Sequence, residues 1–149
     1  MGVVIRLATR GSRQAVTQAE GVQHALSQRG VESQLVIVET QGDRTQAANT
    51  PLHEIGGQGV FTKEIQQAVL DGRADAAVHS AKDLPTERPH QLDIASIMAR
   101  RSPTDALIGR RLLDLEDGAS VATGSVRRRA QIAEIRPDLN FLELRGNIE

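Results

Sequence analysis

Apolar, β-branched runs alternate with helical patterns, and this alternation constrains the fold more than any other feature of the chain. The run Val3 to Leu7 predicts a buried strand, and Leu35 to Val38 predicts a second one. Between them, Ser12 is a good N-cap for a helix from Arg13 to about Gln28, and Gly30 stands where a C-terminal cap belongs. Such alternation favours an α/β fold with mainly parallel strands.

The pattern continues through the rest of the chain. Thr40 to Gly59 has no clear periodicity, which predicts a structureless loop that is functional or disordered. A second helix, with Phe61 and Ile65 on its apolar side, ends at Asp71-Gly72, and a third helix runs from Ser125 to about Ile135. Further strands are predicted at Ala76–Ser80, Leu92–Met98, Ala106–Ile108, Ala119–Thr123 and Asn140–Leu144.

Composition limits both the core and the partners. Phe61 and Phe141 are the only aromatic residues, so the core must be aliphatic, and single-stranded nucleic acid finds no stacking platform. The 18 Lys and Arg nearly balance the 19 Asp and Glu, which argues against a general nucleic-acid binder. The chain has no cysteine, which excludes a disulfide framework and a thiol nucleophile.

The N-terminal apolar run ends at Arg6, which makes it too short for a signal peptide or a membrane span. We therefore expect a cytoplasmic protein without a membrane partner. The four histidines, at 24, 53, 79 and 90, stand at no metal-ligand spacing, and we expect no metal site.

Two Gly/Ser turns, each between a strand and a helix, are candidate anion sites. Ser12 and Ser125 stand at predicted helix N-termini, where free N–H groups attract anions. Arg10, Arg127 and Arg128 can add guanidinium donors suited to carboxylates or phosphates. The alternative is that both serines merely cap helices and the arginines are solvated.

Lys82 and Asp83 follow the predicted strand Ala76–Ser80, and open α/β sheets bind ligands beyond the carboxyl ends of their strands. There, a carboxylate could act as a general acid or base or stabilise a developing cation. The alternative is a surface turn with a local ion pair. The glycines Gly56, Gly57 and Gly59 match neither a Walker loop nor a dinucleotide fingerprint, and fit a hinge or lid better.

Seven short segments match the motifs of a known protein family in both order and spacing. They are Leu7–Ser12, Thr50–Leu52, Ile55–Glu64, Ala74–Pro85, Thr123–Arg128, Arg136–Leu139 and Leu144–Asn147. Together they make the chain resemble the porphobilinogen deaminase family, also called hydroxymethylbilane synthase, over nearly its whole length. The resemblance implies a transferase of tetrapyrrole biosynthesis that condenses four porphobilinogens into hydroxymethylbilane and releases ammonia. It also implies a dipyrromethane cofactor held on a cysteine, and two domains like those of type II periplasmic binding proteins, with the site in the cleft between them.

The resemblance also assigns roles to residues. Asp83 matches the catalytic aspartate, which contacts pyrrole nitrogens and stabilises the cation formed after ammonia leaves. The residues matching carboxylate or polar contacts to cofactor and substrate are Arg10, Ser12, Lys82, Thr123, Ser125, Arg127, Arg128 and Arg145. Those matching the lid loop are Gly56, Gly57, Gly59 and Phe61.

Family members are considerably longer than this chain. The resemblance implies that the cofactor cysteine belongs to a C-terminal domain, which we expect this chain to lack. We expect a first lobe over residues 1–99, a hinge over 100–104 and a partial second lobe over 105–149. We also expect the chain to be inactive alone, because nothing in it can anchor the primer. Exposed strand edges in the second lobe predict self-association, or a need for the missing C-terminal part, or a disordered C-terminal third.

Two other functions stay open on the sequence. One is a stand-alone, two-lobed carboxylate-binding module without catalysis. The other is a structural or regulatory fragment that pairs with a separate C-terminal chain. The enzyme hypothesis requires Asp83 for turnover, whereas the binding-module hypothesis does not, so a substitution of Asp83 distinguishes the two.

Overall fold

The computed structural model describes residues 2–47, 59–87, 89–100 and 102–144, which form two compact units divided after Met98. The first unit alternates strands and helices in chain order: β1 (Val4–Thr9), α1 (Arg13–Ser27), β2 (Glu32–Ile37), α2 (Gln41–Ala47), α3 (Lys63–Leu70) and β3 (Ala76–Ala77). The second contains β4 (Ser120–Ala122), α4 (Val126–Ile135) and β5 (Asn140–Leu142). The mixed α/β class predicted from the alternation is confirmed.

Strand β1 is the central strand of a parallel sheet with the order β2-β1-β3. It pairs with all of β2, from Val4 opposite Glu32 to Thr9 opposite Ile37. On its other side, Leu7 and Ala8 lie opposite Ala76 and Ala77 of β3. Because all three strands run the same way, their carboxyl ends meet at one edge of the sheet.

Helices cover both faces of this sheet. Thr9 donates its hydroxyl hydrogen to the Ala15 carbonyl of α1 at 3.3 Å, which places that face of β1 under α1. Neighbouring Ala8 points the opposite way and packs in a buried cluster with Ile65 and Ala68 of α3. The cluster is built from aliphatic and small side chains, as the scarcity of aromatics requires.

Local signals position α1 as the sequence predicted. Ser12 Oγ accepts a hydrogen bond from the Ala15 N–H, which confirms its predicted capping role. At the other end Gly30 has a φ of +73°, and the Val31 N–H closes the helix onto the Leu26 carbonyl. The predicted stop of α3 at Asp71-Gly72 is confirmed as well, since Gly72 has a φ of +70°.

Helix α2 lies within the segment from Thr40 to Gly59, for which the sequence predicted no regular structure. Thr40 and Asp43 form reciprocal bonds at its start: the Asp43 N–H donates to Thr40 Oγ1, and the Thr40 N–H donates to Asp43 Oδ2. This is a capping box with an aspartate at its third helical position, and it starts a helix that has no apolar periodicity. Residues 48–58 lie outside the described part of the chain.

Five predicted strands are shorter or absent. Two of them, Ala119–Thr123 and Asn140–Leu144, form strands only at Ser120–Ala122 and Asn140–Leu142. Ala76–Ser80 forms a strand only at Ala76–Ala77, and a single 3-10 turn follows at Ala81–Asp83. Leu92–Met98 and Ala106–Ile108 form no strand, so those predictions are wrong. An apolar run becomes a strand only beside a partner, and these runs lie open: Ile97 is 85% exposed and Ile108 is 90% exposed.

The second unit contains a two-stranded parallel sheet in which Ser120–Ala122 pairs with Asn140–Leu142. Arg136 ends α4 and fastens it to a neighbouring 3-10 turn, because its Nη1 donates to the carbonyls of Leu112 and Leu115, each at 3.1 Å. Its Nε and Nη2 are held by Asp138 at 2.8 Å each. In the described part of the chain, no helix has the length and apolar character that crossing a membrane requires.

An ion pair ties the start of β1 to the turn before β3, and its strength should depend on pH. Arg6 donates its backbone N–H, Nε and Nη2 to the Asp75 carboxylate, and these bonds lower the Asp75 pKa from 3.8 to about 2. Because the folded pKa lies below the unfolded value, the stabilisation is complete above pH 3.8 and is lost towards pH 2. We expect the difference in Tm between the unchanged chain and Asp75→Asn to shrink as the pH falls from 3.8 to about 2. A gap that does not change with pH would contradict this.

At Gly42, helix propensity and packing predict opposite effects of an alanine substitution on the stability of the chain. A Cβ at Gly42 would overlap the ring of Phe61, whereas one at Gly21 of α1 would meet no atom within 4 Å. Alanine at an open helical position stabilises by about 0.5–1 kcal/mol relative to glycine, while overpacking costs about 1–3 kcal/mol. We expect urea unfolding to show that Gly42→Ala destabilises and that the matched control Gly21→Ala stabilises. Stabilisation by Gly42→Ala would contradict the close contact with Phe61.

Candidate functional site

The candidate residues of the first unit follow the carboxyl ends of adjacent parallel strands. Arg10 comes directly after β1, and Lys82 and Asp83 lie in the 3-10 turn after β3. The Val78 N–H donates to the Ala8 carbonyl at 2.9 Å, which extends the pairing of the two strands towards this edge. In the order β2-β1-β3, the gap between β1 and β3 is the topological switch point, where open α/β sheets bind ligands.

Arg10 is held by Asp43 from α2. Its Nε donates to Asp43 Oδ1 at 3.1 Å, and its Nη2 donates to the same oxygen. The side chains of Arg10 and Asp43 are only 14% and 21% exposed. The alternative reading of Arg10 as a solvated arginine is therefore wrong, and the chain itself supplies the carboxylate that neutralises it.

Phe61 covers the guanidinium of Arg10, whose Cζ lies 4.1 Å from the ring centroid. An aromatic face attracts a guanidinium, and this one also shields it from water. Phe61 was predicted as part of the lid loop together with Gly56, Gly57 and Gly59. Of these, Gly56 and Gly57 lie outside the described residues.

Gly59 begins the turn that places Phe61. It has a φ of +82°, a conformation that favours glycine, and a Cβ there would lie 3.1 Å from Thr62 Oγ1. The Gly59 carbonyl accepts hydrogen bonds from the N–H groups of Thr62 and Lys63, at 2.9 and 3.1 Å. The turn therefore leads directly into α3 with Phe61 held above Arg10.

The Asp43 carboxylate is charged at neutral pH. Burial raises its pKa, but hydrogen bonds from Arg10 and from the hydroxyl and backbone of Thr40 outweigh burial, so the pKa lies below 3.8. Sequence reasoning missed Asp43. The signal that could have found it is the Thr40-x-x-Asp43 spacing of a capping box, in a segment interpreted as a loop.

The Lys82-Asp83 turn is tied to the sheet and to α1. The Asp83 N–H donates to the Ser80 carbonyl at 3.0 Å, and the Ser80 hydroxyl donates to Gln18 Oε1 at 2.8 Å. Lys82 is exposed and Asp83 is half-buried. Both lie in the described part of the chain, and no ion pair joins Lys82 to Asp83 there.

His79 precedes this turn and is uncharged at neutral pH. Burial lowers its pKa below 6.5, and the nearby negative charge of Asp83 opposes that shift only in part. Its Nε2 is buried and has no hydrogen-bond partner among the described residues. A neutral imidazole therefore lies beside the Asp83 carboxylate.

In the second unit, the predicted residues gather at the start of α4. Ser125 Oγ accepts from the Arg128 N–H, and Thr123 Oγ1 accepts from the Ser125 N–H, so the capping role of Ser125 is confirmed. The Arg128 side chain is paired with Asp105 at 2.7 Å. This hydrogen bond lowers the pKa of Asp105 and raises that of Arg128.

The other predicted arginines of this unit differ from Arg128. Arg127 is exposed. Arg129, which the sequence did not single out, lies over the ring of Phe141, with 5.3 Å between its Cζ and the ring centroid. Arg145 lies outside the described residues.

Gly124 separates the sheet from α4, and a Cβ there would lie 2.5 Å from the Leu144 carbonyl oxygen.

Comparisons with known proteins agree on one family. Residues 5–149 match the family model described as porphobilinogen deaminase, dipyromethane cofactor binding domain. A probable porphobilinogen deaminase of Methanococcoides burtonii is 47% identical over 145 residues, which cover 95% of this chain and 46% of the relative. The porphobilinogen deaminase of Maridesulfovibrio salexigens is 45% identical and covers 97% and 48%, respectively.

A third relative, the porphobilinogen deaminase of Micrococcus luteus, is 46% identical over 97% of this chain and 39% of its own length. The chain thus spans about half the length of the curated relatives that it matches. The family model alone covers nearly all of the chain, from Ile5 onwards. The chain therefore belongs to the porphobilinogen deaminase family.

Proposed function

We propose that this chain is the part of a porphobilinogen deaminase that binds the carboxylates of substrate and cofactor and supplies the catalytic aspartate. The whole enzyme would be a hydroxymethylbilane synthase, which joins four porphobilinogens head to tail and releases ammonia at each addition. One observation carries the proposal: Arg10 and the Lys82-Asp83 turn flank the gap between β1 and β3. That gap is where an open parallel sheet binds its ligand.

The chemistry of the substrate fits these side chains. Porphobilinogen carries two carboxylates and an aminomethyl group that leaves as ammonia. Lys82 supplies positive charge and Arg10 supplies guanidinium N–H donors for the carboxylates. Loss of ammonia leaves positive charge on the substrate, which the Asp83 carboxylate stabilises. The neutral ring of His79 adds no competing positive charge beside Asp83.

The donor set also fits the carboxylates of a dipyrromethane cofactor. The residues that would hold it are Arg10, Ser12, Lys82, Thr123, Ser125, Arg127, Arg128 and Arg145. When bound, the cofactor supplies the free pyrrole position at which the chain of pyrroles begins. Its covalent attachment does not fit this chain, because the 149 residues include no cysteine.

The architecture and partners that go with this proposal are those of the family. The two lobes would be of the type II periplasmic-binding-protein kind, with a first lobe over residues 1–99, a hinge over 100–104 and part of a second lobe beyond it. Val126 and Leu142 are exposed apolar side chains in the second unit, and we expect a second copy or the C-terminal part of a longer protein to cover them. A cytoplasmic location is a prediction that follows from the biosynthetic role.

Substrate binding can be tested with the only two lysines of the chain, both of which are exposed. We expect porphobilinogen to perturb the NMR signals of Ala8–Ser12 and Ser80–Asp83, and Lys82→Gln to weaken its binding by roughly 10-fold, about 1.4 kcal/mol. The matched control Lys63→Gln, at the start of α3, should bind as the unchanged chain does. Equal losses in both variants would mean that overall charge, and not the position of Lys82, governs binding.

Turnover by the chain alone is expected to be absent. Without a cysteine the primer cannot be anchored, so purified chain incubated with porphobilinogen should yield no fluorescent oxidised porphyrin. Appreciable porphyrin formation would contradict this expectation. In the full-length enzyme, an Asp83→Ala variant that retained full turnover would favour the alternative, a carboxylate-binding module without catalysis.

A further inference from the structure

The Asp43 carboxylate is saturated with donors from within the first unit. Oδ1 accepts from Nε and Nη2 of Arg10, and Oδ2 accepts from the N–H and hydroxyl of Thr40, at 3.1 and 2.7 Å. A carboxylate held by four donors has little left to offer a ligand. Asp43 is therefore available to hold Arg10 and not to bind a ligand directly.

Arg10 uses only one edge of its guanidinium in these contacts. The Nε and Nη2 side faces Asp43. The Phe61 ring covers one face of the guanidinium plane, with 4.1 Å between Arg10 Cζ and the ring centroid. Nη1 makes no hydrogen bond to any side chain or backbone group in the described ranges. The end formed by Nη1 and the second hydrogen of Nη2 is therefore fixed in place and still able to donate.

Arg6 shows what a purely structural arginine looks like on the same strand. It uses the same two nitrogens towards Asp75, with Nε donating to Oδ2 at 3.0 Å and Nη2 donating to Oδ1 at 2.7 Å. Its Nη1, however, donates to the Gly72 carbonyl at 2.8 Å, so every nitrogen of this guanidinium is used inside the fold. The free Nη1 distinguishes Arg10 from Arg6.

We infer that Asp43 is a positioning residue for carboxylate recognition: it fixes the guanidinium of Arg10 by the Nε–Nη2 edge and leaves the Nη1 end to receive a ligand carboxylate. The inference rests on the proposed function, because it takes the carboxylate to be one of those of porphobilinogen. Asp43 touches no ligand itself and acts through Arg10.

Fixing the guanidinium raises affinity because a free arginine loses rotamer freedom when it binds a ligand, and a fixed one has lost it already. Asp43 also supplies the counter-charge without which a half-buried guanidinium is poorly tolerated. Asparagine cannot replace it. Both carboxylate oxygens accept from donors, so the amide NH₂ of asparagine would face a donor in either orientation.

The experiment compares porphobilinogen binding by the chain, by Asp43→Asn and by the matched control Asp75→Asn. We expect Asp43→Asn to raise the Kd roughly 2- to 10-fold and Asp75→Asn to leave it within 2-fold. An unchanged or lower Kd in Asp43→Asn, or equal losses in both variants, would overturn the inference. If the unchanged chain binds no porphobilinogen, the proposed function fails and the inference fails with it.

A second readout needs no variant at Asp43 and holds even if Asp43→Asn does not fold. The ¹⁵N and ¹H signals of the Arg10 side chain are assigned by their loss in Arg10→Lys and followed during titration of the unchanged chain. We expect porphobilinogen to shift the Nη signals while the Nε–H signal keeps its position, because Asp43 retains its edge. A shift of the Nε–H signal as large as that of the Nη signals would mean that the ligand displaces Asp43, which would overturn the inference.

Discussion

Parallel pairing of β1 on both of its sides is the constraint on which the first unit depends. Since β1 bonds to β2 along its whole length and to β3 near its end, Arg10 and the Lys82-Asp83 turn emerge at the same edge. Residues more than 70 positions apart in the sequence are thereby placed after neighbouring strands. The helices on the two faces hold this arrangement, with α1 against Thr9 and α3 against Ala8.

Charge in both units is balanced locally, which changes how the candidate arginines are understood. Arg10 is paired with Asp43 in the first unit and Arg128 with Asp105 in the second. The Arg10–Asp43 pair is half-buried and is covered by the Phe61 ring, whereas the Arg128–Asp105 pair is exposed. Salt should therefore screen the Arg128 pair much more than the Arg10 pair.

Signals that act within a few residues predicted much of this fold, with the capping box at Thr40 and Asp43 as the exception. Signals that act across the chain predicted it poorly. Helix α1 was predicted from Ser12 and Gly30, because caps and left-handed stops are local chemistry. The apolar run Leu92–Met98 has the composition of a strand, but pairing needs a partner that no local pattern specifies. In the same way Arg10 was recognised as a candidate donor, while its partner Asp43, on another element, was not.

The small core of the first unit links packing to the site. Ala68 of α3 is fully buried in one cluster with Ala8 of β1, so side chains of minimal volume separate the helix from the sheet. Phe61 lies two residues before α3 begins, on the turn that leads into it. A bulkier residue at Ala68 would push α3 outwards and carry the Phe61 ring away from Arg10. A substitution deep in the core would therefore change the environment of a guanidinium that lies at the edge of the sheet.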